Sequence, residues 1–394
     1  MERYEKYKPS GIEWIGEVPE HWKKCRFKNF LTLVTKPSES SVKIGLENIE
    51  GQTGRFIPTD SDFEGNGTEF KVGDIVYGKL RPYLQKVWLA EFDGNAVGDF
   101  FVFRNRENCD AHYLKYLLLS DGYTKEANSA TEGAKMPRVP SDFILSLRYY
   151  IPLVAEQEAI AAYLDARCAD IDKVVVTQEK RIALLKELKQ SVITQAVTRG
   201  LNTDVKMKDS GVEWIGEVPE HWEVMPFKFR MNINNGMDYK HIQVDDGYPV
   251  MGSGGQFAYA SQYMYDGEVV LLGRKGTVDK PLYFNGKFWA VDTMFYAIPL
   301  NETCCKYMYY QATTFPFNYY QTATALPSMT QTDLGNNHVC VPPISEQKAI
   351  ADYLDNRCGE IDQQINNVTH QIDLLREYKQ SLITEVVTGK RKVC

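Results

Sequence analysis

Residues 151–200 (IPLVAEQEAIAAYLDARCADIDKVVVTQEKRIALLKELKQSVITQAVTRG) return as residues 341–390 (VPPISEQKAIADYLDNRCGEIDQQINNVTHQIDLLREYKQSLITEVVTGK), with about half the positions identical. A segment present twice must find a packing arrangement that serves both copies, and this limits the folds open to the chain. Both copies follow a proline, Pro152 in the first and Pro342 with Pro343 in the second, and both read as helix. Ser345 is the expected N-cap. A break is expected near Arg167–Ala169 and Arg357–Gly359, dividing a short helix from a long one. Gly200 and Gly389 are suitable stops.

The long helices carry heptads. Ile361, Val368, Leu375 and Leu382 recur every seven residues, with Ile365, Ile372, Lys379 and Val386 as the companion series. The first copy has Ile171, Gln178, Leu185 and Val192, with Val175, Ile182, Lys189 and Ala196. Alternating steps of three and four place these on one stripe, the seam of a coiled coil. Lys189 and Lys379 interrupt the seam at the same repeat position. A lysine there either fixes register or snorkels along the seam edge. The simplest partner for one seam is the other, antiparallel, with pseudo-two-fold symmetry. A helix of about thirty residues would be roughly 45 Å long, holding two heads a set distance apart.

A shorter repeat opens each half. SGIEWIGEVPEHW (Ser10–Trp22) and SGVEWIGEVPEHW (Ser210–Trp222) differ only at Ile12 and Val212. A catalytic histidine would have to serve two sites identically. His21 and His221 are therefore expected to be structural, with Trp22 and Trp222 packing each head against the helices. The fold class is α+β: two strand-rich mixed α/β heads joined by two long antiparallel coiled-coil helices. The expected boundaries are a first head over 1–150, a helical repeat over 151–200, a second head over 201–340 and a helical repeat over 341–394.

The heads hold short β-branched and aromatic runs between Gly and Asn turns. Examples are GDIVYGKL (73–80), KVWLAEF (86–92), DFFVFR (99–104), EVVLLGR (268–274) and FWAVDTMFYAI (288–298). Gly73-Asp74-Ile75-Val76 parallels Gly267-Glu268-Val269-Val270, and Val97-Gly98-Asp99-Phe100 parallels Ala290-Val291-Asp292-Thr293. The heads are thus expected to share one fold with diverged surfaces. Basic residues cluster in the turns beside these strands. The first head offers Lys79, Arg81 and Tyr83 in GKLRPY, then Lys135 and Arg138 in EGAKMPRVP. The second offers Arg274, Lys275, Thr277 and Lys280 in GRKGTVDKP. The stretch TATALPSMTQ (322–331), which ends in Gln331, stands where the first head has its AKMPR loop. Arg and Lys beside a tight backbone suit phosphate contact and guanine reading, and Gln suits adenine. A solvated surface charge is the competing reading for any one of them.

The net charge of −7 argues mildly against nucleic acid, but charge can be segregated on one face. No apolar run is long enough for a membrane span, and MERYEKYKPSG lacks the apolar stretch of a signal peptide. The expected compartment is the cytoplasm. The eight cysteines form no C-x-x-C pair and read as small buried residues, with no metal site. There is no Walker phosphate loop and no Asn/Asp-Pro-Pro-aromatic methyltransferase motif. Gly252-Ser253-Gly254-Gly255-Gln256-Phe257 lacks the third glycine of a dinucleotide loop. No set of nucleophile, base and oxyanion donors is present, so the chain reads as a binder rather than an enzyme.

The pattern resembles the specificity (S) subunit, or HsdS, of type I restriction–modification systems. The resemblance covers the whole chain. Its carriers are P-x-x-[AS]-E-Q-x-A-I-A-x-Y-L-D at 152–165 and 342–355, the repeated E-W-I-G-E-V-P-E-H-W, GDIVYGKLRPYLQKVWLAEFDG (73–94) and GRKGTV…FWAVDT (273–293). It implies that each head is a target recognition domain reading one half of a split, asymmetric double-stranded DNA site. It implies that the helices act as a ruler and dock two modification subunits, which carry S-adenosylmethionine and the methyl transfer. Restriction subunits using ATP and Mg can then join. The specificity chain itself would hold no cofactor and no catalytic residue. The alternative is a two-headed coiled-coil adaptor for a non-DNA ligand.

Overall fold

The computed structural model describes residues 2–38, 40–317 and 328–393. They form two compact units: residues 1–179 with 370–394, and residues 180–369. Each unit holds one head, the beginning of one long helix and the end of the other. The compact units therefore cut both helices, whereas the sequence repeats suggest undivided helical segments.

The two heads follow one plan. In the first, Leu31–Val34, Phe100–Asn105, Ile75–Gly78 and Val87–Leu89 lie side by side in that order, all antiparallel. In the second the same order is Met231–Asn235, Met294–Pro299, Tyr265–Gly273 and Leu282–Ala290. Both central strands are buried: Ile75 and Val76 in one, Val269 to Leu272 in the other, so they read as apolar runs. The heads differ beside this shared core. The first has a separate four-stranded sheet, Pro37–Ser38, Gly67–Phe70, Gly94–Ala96 and Lys43–Ile44. The second continues into Tyr248–Gly252, Gly255–Ala260 and Gln243–Val244, making seven strands.

The first long helix runs unbroken over Val154–Arg199 and the second over Ile344–Val387. The break expected near 167–169 and 357–359 does not occur. Neither stretch holds a proline, and Cys168 and Cys358 are buried on the inward face in step with Leu164 and Leu354. A lone Gly359 costs only about 1 kcal/mol, too little to open a packed helix. Ser345 is not the cap either. The carbonyl of Pro343 accepts from Glu346 N (2.9 Å) and Gln347 N (3.0 Å), which places Ser345 inside the first turn. Leu153 does the same for Glu156 and Gln157, both at 2.9 Å. Gly200 and Gly389 end the helices in the left-handed region, φ 77° and 74°, where a side chain would be strained.

In each unit the two helical segments run antiparallel. In the first unit Asp172 meets Lys379 (2.8 and 2.9 Å) and, further on, Glu179 meets Arg376 (2.9 Å). In the second, Lys189 meets Asp362 (2.7 Å) and Gly200 lies beside Glu346. Asp172 and Asp362 are repeat equivalents, as are Lys189 and Lys379, so the same pair is made twice. Each ammonium reaches an aspartate of the neighbouring segment, which favours the register role. Ile361, Val368, Ile372 and Leu382 are buried, while Ile171, Val175, Ile182, Leu185, Val192, Ile365 and Leu375 are half-buried.

The thirteen-residue repeats adopt the same turn. Ser10 N donates to Gly16 O (2.8 Å) and Ser210 N to Gly216 O (3.0 Å). In the first unit Trp22 Nε1 donates to Glu156 Oε1 (3.1 Å), and His21 Nε2 lies 2.9 Å from Glu156 Oε2. His221 makes the matching contact with Glu346 at 3.0 Å. Trp22 also covers Gly389, and Trp222 covers Gly200. The repeat thus clasps the start of one helix and the end of the other, the packing role expected for both tryptophans. Buried Gln157 completes the joint: its Oε1 accepts from Asp110 N (2.7 Å) and its Nε2 donates to Pro152 O (2.9 Å). Gln347 does likewise with Cys304 N and Pro342 O.

Candidate nucleic-acid interface

Each head presents one clamped basic turn at the end of its central strand. In the first head Lys79 N donates to Asp99 O (2.9 Å), and Lys79 O accepts from Val139 N (3.1 Å). In the second, Arg274 N donates to Thr293 O (2.9 Å), and Arg274 O accepts from Met329 N (3.0 Å). Lys79 and Arg274 therefore occupy equivalent points, held between two neighbouring segments. The bonds match Asp99 with Thr293, not with Asp292 as the sequence parallel suggests.

The side chains around the turns differ. Arg138 grips Asp99 with two bonds, Nε to Oδ1 at 2.8 Å and Nη2 to Oδ2 at 2.9 Å. Lys79 Nζ stands 3.9 Å from the same carboxylate and 5.3 Å over the Phe101 ring. Arg138 and Lys79 thus share one negative charge, and the guanidinium of Arg138 is engaged within the head. Its place in the second head is taken by Ser328, which bridges to Lys275 as Arg138 bridges to Leu80. Arg274 has no carboxylate partner among the described residues; it donates to the Asp292 carbonyl (3.3 Å) and lies 5.8 Å from the Phe295 ring.

Arg81 and Lys135 are exposed and make no ion pair among the described residues. Tyr83 is half exposed at the tip of the turn Pro82–Leu84. Lys275, Thr277 and Lys280 are exposed on the matching turn. Gln331 stands apart in character: its Nε2 donates one hydrogen bond to Ile233 O (2.7 Å), which ties its amide to the sheet. Residues 322–327 of the polar stretch before it lie outside the described residues. Asp99 is the partner that sequence reasoning missed. It sits far from Arg138 along the chain, and only the strand register brings them together.

The hydrogen bond from Arg138, acting against partial burial, holds the Asp99 carboxyl below its usual range. A depressed folded value means the pair stabilises the head fully above the unfolded value, about 3.9. That contribution is lost as pH falls through the folded value. Arg138→Gln should therefore remove part of the acid sensitivity of the first head and lower its unfolding temperature slightly near neutral pH. Thermal unfolding from pH 3 to 7 reads both; an unchanged acid limb would show that the pair does not contribute.

Among the described residues no His, Cys, Asp and Glu cluster could hold a metal ion. Burial pushes the Cys168 thiol up to about 11, which suits a packing residue. No described helix is long and apolar enough to cross a membrane.

Two sheet-bearing heads of one topology, each seated on segments of two long helices by the same docking motif, define a class of twice-repeated, two-headed chains. Residues 216–370 match the family described as the type I restriction modification DNA specificity domain. The chain is 25% identical to the type I restriction enzyme EcoDI specificity subunit of Escherichia coli, over 46% of this chain and 43% of that protein. It is 23% identical to the putative type I restriction enzyme MjaX specificity subunit of Methanocaldococcus jannaschii, over 96% of each. A solved chain from work on complex assembly and conformational transition of the type I R-M system shares the fold, with TM-score 0.74, 16% identity and coverage of 94% of this chain and 98% of that one. In the second half by the family model, and along nearly its whole length by the longer alignment, the chain is similar to specificity subunits of type I restriction enzymes.

Proposed function

We propose that this chain is the DNA-reading subunit of a type I restriction–modification complex, each head reading one half of a split site. The observation that carries this is the clamped Lys79 and Arg274 turn, placed at one point of one sheet in both heads but surrounded by different side chains. A shared frame with unlike surroundings suits two unlike half-sites. Exposed Arg81, Lys135, Lys275 and Lys280 would meet phosphates or guanine edges. Lys79 and Arg138 would shape the first surface around Asp99. The long helices would set the spacing and dock two modification subunits, with restriction subunits joining them. In this reading S-adenosylmethionine belongs to the modification subunit and ATP with Mg to the restriction subunit. The chain performs no chemistry of its own.

The test is co-expression with a cognate modification subunit, followed by mapping of adenine methylation across the host genome. A split sequence with two unlike halves and a fixed gap is expected. The purified complex should also bind duplex DNA with an affinity that drops steeply between low and moderate salt, because phosphate contacts release counterions. A stable complex that neither methylates nor binds duplex DNA would favour the non-DNA adaptor.

A further inference from the structure

The turn that follows Lys79 is held in an unusual backbone state. Arg81 (φ 51°) and Gln85 (φ 49°) are both left-handed, and they bracket the single turn Pro82–Leu84. Side chains rarely adopt this conformation, and a surrounding structure must enforce it. At the tip Arg81 is exposed, as are parts of Tyr83 and Leu84. Behind the tip the chain is pinned. Arg81 N donates to Pro137 O (2.8 Å), and Gln52 N donates to Gln85 O (3.1 Å). The Gly51 backbone approaches Leu84 O so closely that a Cβ there would stand 2.3 Å away.

The Gln85 side chain is the deepest anchor, at 5% exposure. Its Nε2 donates to Thr124 Oγ1 (2.9 Å) and Asp121 Oδ1 (3.3 Å), and its Oε1 accepts from Gln380 Nε2 (3.2 Å). Gln380 lies on the second long helix, whose end belongs to the same compact unit. The exposed tip is thus tied by one buried amide to the helix beneath the head. The repeat equivalent of Gln380 is Gln190, which instead donates to the Thr313 carbonyl (3.3 Å).

We propose that Gln85 and Gln380 are positioning residues that hold the Arg81–Gln85 turn in its reading conformation, and that this device serves only the half-site read by the first head. The inference rests on the DNA-reading function proposed above. Neither residue touches the DNA in this reading; each acts through Arg81 and Tyr83. A buried hydrogen-bonded amide is suited to the task, because losing one partner leaves the other unsatisfied and lets the strained turn relax.

The experiment is selection of bound sequences from a randomised duplex DNA library, using the chain purified in complex with its modification subunits. Wild type should enrich a split sequence. Gln380→Leu removes the donor at similar volume. Gln85→Gly removes the anchor while accepting the left-handed backbone, and it decides the matter if Gln380→Leu fails to assemble. Each should reduce base preference about tenfold in one half-site while the other half-site keeps its preference. Gln190→Leu should leave both halves as they were. Preference retained in both halves, or lost equally from both, in the assembled variants would overturn the proposal. Failure of wild type to enrich any split sequence would instead remove the DNA-reading function, and the positioning role with it.

Discussion

Trp22→Ala is expected to destabilise the first unit by about 3–5 kcal/mol, the range for emptying a fully buried aromatic site. Trp22 is completely buried, donates its indole N–H to Glu156 at 3.1 Å and lies over Gly389. Removing it opens a cavity at the point where head, helix start and helix end meet. Trp222→Ala should weaken the second unit comparably, since Trp222 is equally buried. The phenylalanine variants should separate the two positions. Trp22→Phe loses the bond to Glu156, whereas Trp222 Nε1 has no partner among the described residues and has no bond to lose. Hydrogen exchange resolved along the chain would report each unit. Protection left intact in residues 1–179 of Trp22→Ala would show that the docking motif is dispensable.

Lys379→Ala should cost on the order of 2–4 kcal/mol, because it leaves Asp172 without its cation in a mostly buried seam. The side chains of Lys379 and Asp172 are 9% and 23% exposed. Lys189→Ala removes the repeat-equivalent pair, but Lys189 and Asp362 are 30% and 51% exposed. Its cost should stay below about 1 kcal/mol. The same chemistry at the same repeat position thus has two expected values, set by burial alone. Replacing Lys379 and Asp172 together by leucines should recover most of the loss. Urea unfolding of the three variants would decide; equal costs for Lys379→Ala and Lys189→Ala would sink the burial argument.

The helices, the seam and the docking repeat were legible because each rests on a periodicity or an identity that the chain displays twice. Ile361, Val368 and Leu382 fall on the buried stripe for the reason that a seven-residue period must. The supposed break at Gly359 misled because helix propensity is a weak signal, and packing of Cys358 and Leu354 overrides it. Gln157 and Gln347 carried a readable sign. Each is a polar residue one turn before an apolar position, Ile160 and Ile350, in both copies, and a polar residue kept on a buried stripe needs a specific partner. The partner itself, the backbone N–H of Asp110 or Cys304, lies in another element and could not be named from sequence. The basic turns were legible as composition. What each side chain is free to do was not, since Asp99 captures Arg138 only through strand register, and the Gln331 amide is tied to Ile233 O across the fold.

The way each unit borrows the end of a helix has a consequence for biosynthesis. The second unit is one continuous stretch, 180–369, and its parts leave the ribosome in succession. The first is completed by residues 370–394, whose Leu382, Ile383, Val386 and Val387 are buried in the core that contains Trp22 and Tyr113. Domains ordinarily fold as they emerge, N-terminal first. Here the apolar seat for these residues stays unfilled in the first head while the whole second half is translated. The half that is made first is the half that is finished last.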